Sequence, residues 1–405
     1  MTGMRIPRKV HIVDPGLRAV GGHYYSMNLA IAEELQKLDI GVSTYGGVNA
    51  TLPASPLNFT EVFRFDVFQE VGTSDPATYV QENFYYLNQI FLEDLQKIDN
   101  YLIEKNDLVF FQGVVQNQIE GISEWLSGIP SLRRPPCILT LRFLNSRMLH
   151  NVQRGFTAQI EIFYKYTLQK LLQKFPETKL VADTHELCEN FKNITSLPVT
   201  LLPSPLGLSQ PTNLFTPKTS DENFLDVLYI GNHSPYKGVA FIPEIMKDVL
   251  DKHANVRFSI QINGSIESGL AQRITSLVSL YGRRINLILG TLDMDEYHRT
   301  IEKADVVLLP YHPAYYSFGG SGVFVEAAAS AKIIVITKAT VADKIAADYA
   351  LPVVFSDGFN TEAYCRAVNS AIENIEQLSK QAKLVANYFR EYNSPKNFLR
   401  ELFLL

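Results

Sequence analysis

Short apolar runs rich in β-branched and aromatic residues alternate with helical patterns along the whole chain, and this alternation limits the fold more than any other feature. The first half opens with a strand pattern at Val10–Val13, the loop "DPGLRAVGG", and then Met27, Ile31, Leu35 and Leu38 at helical spacing, with Gly41 placed to stop the helix. A second strand, Val42–Tyr45, follows at once. Further strands are expected at Leu108–Phe111, Cys137–Leu141, Lys179–Ala182 and Val199–Leu202. The stretch Leu52–Thr78 reads either as one more strand or as a long surface loop. Near Pro203 the run "PSPLGLSQPTNLFTPKTSDEN" loses all periodicity and reads as a linker. The pattern then restarts: a strand at Val227–Ile230, a helix with Ile242, Ile245, Met246, Val249 and Leu250 on one face, and a strand at Arg257–Ile262. Asn286–Leu289, Val306–Leu309, Ile333–Ile336 and Val353–Phe355 complete the set. Continuous apolar strands joined by helices indicate parallel sheets covered on both faces. The expectation is an α/β protein of two doubly wound domains, facing each other across a cleft at the carboxyl ends of both sheets, where such folds bind ligands.

A length of 405 residues suits two substantial cores. The formal net charge of −5 argues against a nucleic-acid partner, which calls for a basic excess. Cys137, Cys188 and Cys365 are far apart and lack metal-ligand spacing, so they read as reduced thiols of a cytoplasmic protein. No apolar run reaches the roughly 18 residues of a membrane span, which leaves peripheral contact as the only membrane association expected. The segment "FTAQIEIFYKYTLQKLLQKF" is a basic amphipathic helix pattern with two open readings, a core-facing helix with solvated lysines or a helix lying on an anionic membrane.

The glycines of the first loop, Gly16, Gly21 and Gly22, do not spell G-x-G-x-x-G, which speaks against a dinucleotide cofactor. A glycine pair before a helix still leaves backbone N–H groups open to an anion. In "LYIGNHSPYKG", Gly231 ends a strand and Lys237 arrives just before a helix, where an ammonium can neutralise a phosphate as a point charge. In "SFGGSGVFVEAAASAKIIVIT", Ser321 and Gly322 lie near a helix N-terminus, with amides and dipole suited to phosphate oxygens. Glu326 is the only certainly charged side chain between Asp305 and Lys332. It reads either as the acceptor of two ribose hydroxyls or as a carboxylate helping to cap its own helix. Asp183 and Glu186 have capping-box spacing around His185. His23 and His233 lie beside the two glycine turns. No Asp-x-Asp-like motif sits at a fitting strand end, so no metal is expected.

The run from about Val227 to Thr337, through "LYIGNHSPYKG", "INLILGTLDMDEYHRTIEKADVVLLPY" and "SGVFVEAAASAKIIVIT", resembles the nucleotide-sugar-binding domain of glycosyltransferase family 4 enzymes with the GT-B fold. The first half resembles them more loosely, through "HIVDPGLRAVGGHYYSMNLAIAEELQKLDIGVS" and "LVADTHELCENF" followed by "VTLLPSPLG". The resemblance implies an acceptor domain over residues 1–205, a donor domain over 206–384, and a C-terminal segment of about 385–405 that packs back on the first domain. It implies a donor site formed by Gly22, Gly231, Asn232, Lys237, Thr291, Leu292, Gly320, Ser321, Gly322, Val323 and Glu326. Within it Lys237 holds the diphosphate, amides around Ser321–Val323 hold the distal phosphate, Glu326 binds the ribose, and the backbone at Thr291–Leu292 reads the base. Gly21 and His23 fall on the acceptor side, and Arg142 and His185 are the catalytic candidates. Asn232 stands where the family has arginine, Phe318 where it has the first of two glutamates, and Arg142 where it often has histidine. The implied activity is sugar transfer, with retention, from a nucleoside diphosphate sugar as co-substrate and without a cofactor, to a glycan, lipid-linked or small-molecule acceptor. The alternatives are a sugar-nucleotide epimerase and a non-catalytic nucleotide binder acting through a protein partner.

Overall fold

A computed structural model of the chain describes residues 6–20, 22–52, 56–67, 69–71, 78–99, 102–141, 157–207, 224–231, 234–263 and 266–405. The expected linker lies mostly outside these residues, as do the candidates Gly21, Arg142, Asn232 and His233. The chain divides into two compact units, Met1–Ser209 with Asn393–Leu405, and Gln210–Tyr392.

The first unit is built on a seven-stranded parallel sheet. Its strands are β1 (Lys9–Val13), β2 (Gly41–Gly47), β3 (Phe59–Phe63), β4 (Leu108–Val114), β5 (Cys137–Leu141), β6 (Lys179–Ala182) and β7 (Thr200–Leu201), in the order β3-β2-β1-β4-β5-β6-β7. The ambiguous stretch after Leu52 thus holds a strand, β3, paired in parallel with β2. The second unit has six parallel strands: β8 (Leu225–Tyr229), β9 (Val256–Ile262), β10 (Ile285–Leu289), β11 (Val306–Leu309), β12 (Ile333–Thr337) and β13 (Val353–Ser356), in the order β10-β9-β8-β11-β12-β13. Both sheets reverse their winding beside the first strand, between β1 and β4 and between β8 and β11. Such a reversal opens a crevice at the carboxyl edge of a doubly wound sheet. The central strands are apolar because both faces are covered; all seven residues of β4 and all four of β11 are buried.

Helix Gly22–Lys37 buries Met27, Ile31 and Leu35 against the first sheet, but Leu38 falls beyond its end and is half exposed. Asp39, at φ 56°, makes the left-handed turn that Gly41 was expected to supply, and Gly41 instead begins β2. Helix Thr157–Lys174 is a packing helix: Ile160, Tyr164, Leu168 and Leu171 are buried, and Lys170 and Lys174 face Glu120 and Glu124 at 3.6 and 3.7 Å. The chain leaves the second unit later than residue 385. Helix Ile375–Tyr392 buries Ala386 and Phe389, and Arg390 Nη2 donates to the Ala329 carbonyl at 2.7 Å, so this helix stays with the second unit. At Asn393 the chain returns: its carbonyl accepts from Leu206 N at 2.8 Å. Helix Pro395–Leu404, capped by Ser394, then sets Phe398 against Phe110 with ring centroids 5.6 Å apart. No helix among the described residues is long and apolar enough to cross a membrane. Cys137 and Cys188 are buried thiols, Cys365 is partly buried, and none is bridged.

A buried polar knot ties β1 to the entry of β4. Asp107 accepts from Arg8 Nε and Nη2, both at 2.9 Å, and from the Glu104 amide at 2.9 Å, while His11 lies 3.2 Å from its Oδ2 and 3.1 Å from Tyr45 Oη. Burial works to raise the Asp107 pKa, yet the bonds from Arg8, Glu104 and His11 leave it below the ordinary carboxylate value; burial lowers that of His11. Both shifts act in one direction. The unfolded chain binds more protons in acid, so the knot's contribution fades as pH falls, from about 6.5 for His11 and lower for Asp107. Asp107→Ala is expected to cost about 1.5–3 kcal/mol, the size of hydrogen bonds to a charged group, because half-exposed Arg8 regains water while buried His11 loses its partner. Trp125, the single tryptophan and buried in this unit, reports the loss as a lower urea midpoint by fluorescence.

Candidate functional site

In the second unit, the turns that leave β8, β10 and β11 are tied together by one side chain and by backbone contacts. Gln261 of β9 is buried; its Oε1 accepts from Gly231 N at 3.0 Å and its Nε2 donates to the Gly290 carbonyl at 2.9 Å. One amide therefore fixes the ends of β8 and β10. Ser234 caps the 3-10 turn Pro235–Lys237, and Gly238 follows at φ 59°. A Cβ at Gly238 would stand 2.6 Å from the Pro310 carbonyl, so glycine is required there by both conformation and space. The His312 amide donates to the Tyr236 carbonyl at 2.7 Å, which completes the join between the β8 and β11 turns.

This turn folds Lys237 back over the strand end. A Cβ built on Gly231 would lie 3.2 Å from Lys237 Nζ, and the ammonium stands 5.9 Å from the centre of the Tyr311 ring. Burial lowers the lysine pKa to about 8. On the β11 side, Tyr311 is buried, stacked on Tyr316 at 4.0 Å, and its hydroxyl lies 3.1 Å from Ser321 Oγ. Ser321 caps helix Gly322–Ala329 by accepting from Phe324 N at 3.3 Å. The amides of Gly322 and Val323, in the first turn, have no partner within their own helix.

Glu326 sits one turn inside this helix and is 7% exposed. It does not cap the helix, since Ser321 does. Nor is the carboxylate left to an external partner alone, as the sequence suggested: Tyr297 Oη, from helix Met294–Lys303, donates to its Oε2 at 2.5 Å. Among the described residues Oε1 has no hydrogen bond. Burial pushes the glutamate pKa up to about 7, against the lowering effect of the Tyr297 bond. Burial, and then the neighbouring carboxylate, raise the Tyr297 phenol well above its usual value.

After β10 the turn exposes Thr291, whose Oγ1 lies 3.3 Å from Asn263 Oδ1, and leaves Leu292 partly exposed. The second unit thus gathers Gly231, Lys237, Thr291, Leu292, Gly320, Ser321, Gly322, Val323 and Glu326 on the loops of one sheet edge. Gly22, His23 and His185 belong to the first unit. His23 is exposed at the start of its helix, and His185 is the exposed first residue of helix His185–Thr195. That helix is capped by Thr184, which accepts from Leu187 N at 3.1 Å. Asp183 is no capping residue, contrary to the expected box; its Oδ2 accepts from Ser204 Oγ at 3.2 Å. Among the described residues no cluster of three or more His, Cys, Asp or Glu is arranged to hold a metal ion.

Gln261, Tyr297 and Tyr311 were not singled out in the sequence. Tyr297 had a readable signal, because it precedes the buried Ile301 by one helical turn on an otherwise polar helix. Gln261 interrupts an apolar strand pattern. A groove of about 710 Å³ has Arg257, paired to Asp226, and Arg283, Arg299 and Lys303 among its lining; of the candidate residues it is lined by Leu292, and by neither Lys237 nor Glu326.

Residues 225–374 match the profile of the family described as "Glycosyl transferases group 1". No curated protein sequence matches the chain. The fold is similar to that of sucrose-phosphate synthase from Thermosynechococcus elongatus (15% identity, 98% of this chain and 97% of the other covered, TM-score 0.66). It is similar also to trehalose-6-phosphate synthase OtsA (11% identity, 97% and 98% covered, TM-score 0.65). A third similar structure is that of HepE from Anabaena in complex with UDP and glucose (14% identity, 98% of both chains covered, TM-score 0.60). At these identities the likeness concerns the fold, and the fold is two Rossmann-like domains of the GT-B kind.

The Glu326 shift has a consequence for stability. Between about pH 4.5 and 7 the native carboxyl holds a proton that the unfolded chain has lost, so its burial lowers stability as pH rises through that window. Glu326→Gln keeps an acceptor for Tyr297 and removes the charge. At pH 8 the ligand-free variant should gain about 1–3 kcal/mol over the parent, and at pH 4.5 almost nothing. Thermal unfolding at the two pH values checks this; a loss at both would mean that the carboxylate is a structural brace.

Proposed function

We propose that the protein is a glycosyltransferase that moves a sugar from a nucleoside diphosphate sugar to a glycan, lipid-linked or small-molecule acceptor, with retention at the anomeric carbon and without an essential metal. The observation that carries this reading is the grouping of Lys237, the Ser321-capped helix start and Glu326 at the winding reversal of the second sheet, inside the segment that matches the group 1 glycosyltransferase profile. The bound UDP and glucose of HepE support it.

In this reading Lys237 places its ammonium on the diphosphate. The amides of Gly322 and Val323, with the turn at Gly320–Ser321, take the distal phosphate oxygens. Glu326 accepts from the ribose, and the backbone of Thr291–Leu292 meets the base. Breaking the glycosidic bond leaves negative charge on the departing diphosphate, and donors already in place there stabilise it without reorganisation. Gly231 and the neighbouring Asn232 border the same diphosphate. Gly22 is read with the donor site, Gly21 and His23 with the acceptor side, and Arg142 and His185 as the candidates for contact with the reacting groups.

Two observations favour the non-catalytic alternative: no acidic residue stands between Val306 and Val325, with Phe318 among them, and Asn232 stands where the family has arginine. An epimerase would consume donor without acceptor. The assay is a panel of UDP-, GDP- and ADP-sugars, followed for release of the nucleoside diphosphate with and without sugar acceptors. Acceptor-dependent release supports transfer, conversion of the donor alone indicates epimerisation, and binding without any turnover favours the non-catalytic reading.

Lys237→Ala is expected to weaken nucleoside diphosphate binding by about 1.5–3 kcal/mol, the size of a charge-assisted hydrogen bond. Parent affinity should also fall as pH rises past about 8, where Lys237 loses its proton in the empty site. Calorimetry on both proteins checks this: equal affinities would remove Lys237 from the site.

A further inference from the structure

Tyr297 lies one turn before Ile301, on the inward side of its helix. Helix Met294–Lys303 is polar almost throughout, has only Ile301 fully buried, and is capped by Asp293, which accepts from Glu296 N at 2.8 Å. The phenol hydroxyl meets Glu326 Oε2 at 2.5 Å across the interior of the second unit. Three observations make this more than a packing contact. Ser321 already caps the Glu326 helix, so the carboxylate is not needed there. The bond fixes one carboxylate oxygen and leaves Oε1 without a partner among the described residues. The pair lies at the sheet edge where Ser321 and Tyr311 present their hydroxyls to one another at 3.1 Å.

We propose that Tyr297 is a positioning residue that holds Glu326 by Oε2 and turns Oε1 alone toward a single ribose hydroxyl of the bound nucleotide. The inference rests on the nucleotide reading given above. It implies that the carboxylate discriminates between the two ribose hydroxyls instead of reading both alike. It also implies a role in setting the charge of the glutamate, because a hydrogen bond donated to a carboxylate favours its ionised form against burial. The titratable groups that interact with Glu326 are Tyr297 and, from the β11 turn, Tyr311; Arg390, on the helix packed behind, donates to the Ala329 carbonyl. Without the phenol hydroxyl, the carboxyl should therefore ionise only at higher pH.

The test is calorimetry with UDP, ADP and GDP on the full chain, followed by the 2′-deoxy and 3′-deoxy forms of whichever binds best, between pH 5.5 and 8. The proteins are the parent, Tyr297→Phe, Glu326→Gln and the double variant. For the parent, one deoxy analogue should bind within about twofold of the ribonucleotide and the other about tenfold or more weaker, the size of one lost hydrogen bond to a charged group. Tyr297→Phe should bind about tenfold more weakly near pH 6.5 and recover toward pH 8, with the midpoint of the profile moved up. Glu326→Gln should remove the part of the profile that Glu326 contributes, and adding Tyr297→Phe to it should change affinity no further. Equal penalties for both deoxy analogues overturn the inference. So does a Tyr297→Phe profile that coincides with the parent's, even if the variant melts lower, since that is the mark of a structural role. Failure of the parent to bind any of the three nucleotides withdraws the nucleotide reading itself, and the inference with it.

Discussion

In a parallel sheet every strand leaves at the same edge, and the chain must spend its loops there. The second unit makes that edge rigid with a single buried amide. Gln261 can accept from Gly231 and donate to Gly290 only because β9 lies between β8 and β10, and because its side chain emerges level with both turns. Without that bridge the strand ends would need water to satisfy their backbone groups. The Gly238–Pro310 approach and the His312–Tyr236 bond do the same between β8 and β11. Lys237 and the Ser321 cap are therefore delivered by turns whose positions are determined on both sides.

Such rigidity allows a costly arrangement. Burial draws the lysine down to about 8 and the glutamate up to about 7, two shifts that each oppose the charged form. The opposite is seen in the first unit, where Asp107 is buried with Arg8 beside it and lies below its ordinary value. The contrast is between a carboxylate held by an arginine and one whose only bonded partner among the described residues is a phenol. Perturbation by desolvation in a turn-lined crevice is a mark of functional sites, whereas a satisfied ion pair is a mark of architecture.

The sequence revealed the strands wherever both faces of the sheet are covered, because apolar runs such as Val306–Leu309 admit few other readings. It blurred at boundaries set by tertiary contacts. Nothing local told that Asp39 would turn the chain where Gly41 seemed suited, or that Thr184 would cap a helix with Asp183 one residue earlier. The last crossing lies several residues beyond the expected one, because Ala386 and Phe389 are apolar for the second unit and Phe398 for the first, and periodicity does not say which core a helix fills. Lys237, Ser321 and Glu326 stand out as candidates in the sequence because they lie at or near glycine turns and helix starts. Tyr297 and Gln261 act on residues 29 and 30 positions away, and only folding brings those together.

The chemical character of the site follows from its tyrosines more than from its charges. Tyr311 is stacked on Tyr316, its carbonyl accepts from Thr337 Oγ1, and its hydroxyl faces the Ser321 cap, so one ring joins β12, the β11 turn and the helix start. Tyr364 also reaches Thr337, and Tyr229 donates to the Lys237 carbonyl at 3.3 Å. Each phenol offers a rigid apolar body with one polar tip, which displaces water while still satisfying a hydrogen-bonding group. Burial raises all four phenols above their ordinary pKa, that of Tyr311 to about 12, so they remain neutral donors across the physiological range. Rings of this kind lower the local dielectric around Lys237 and Glu326 without adding charge. In such surroundings each electrostatic contact to a ligand is worth more than it would be in water.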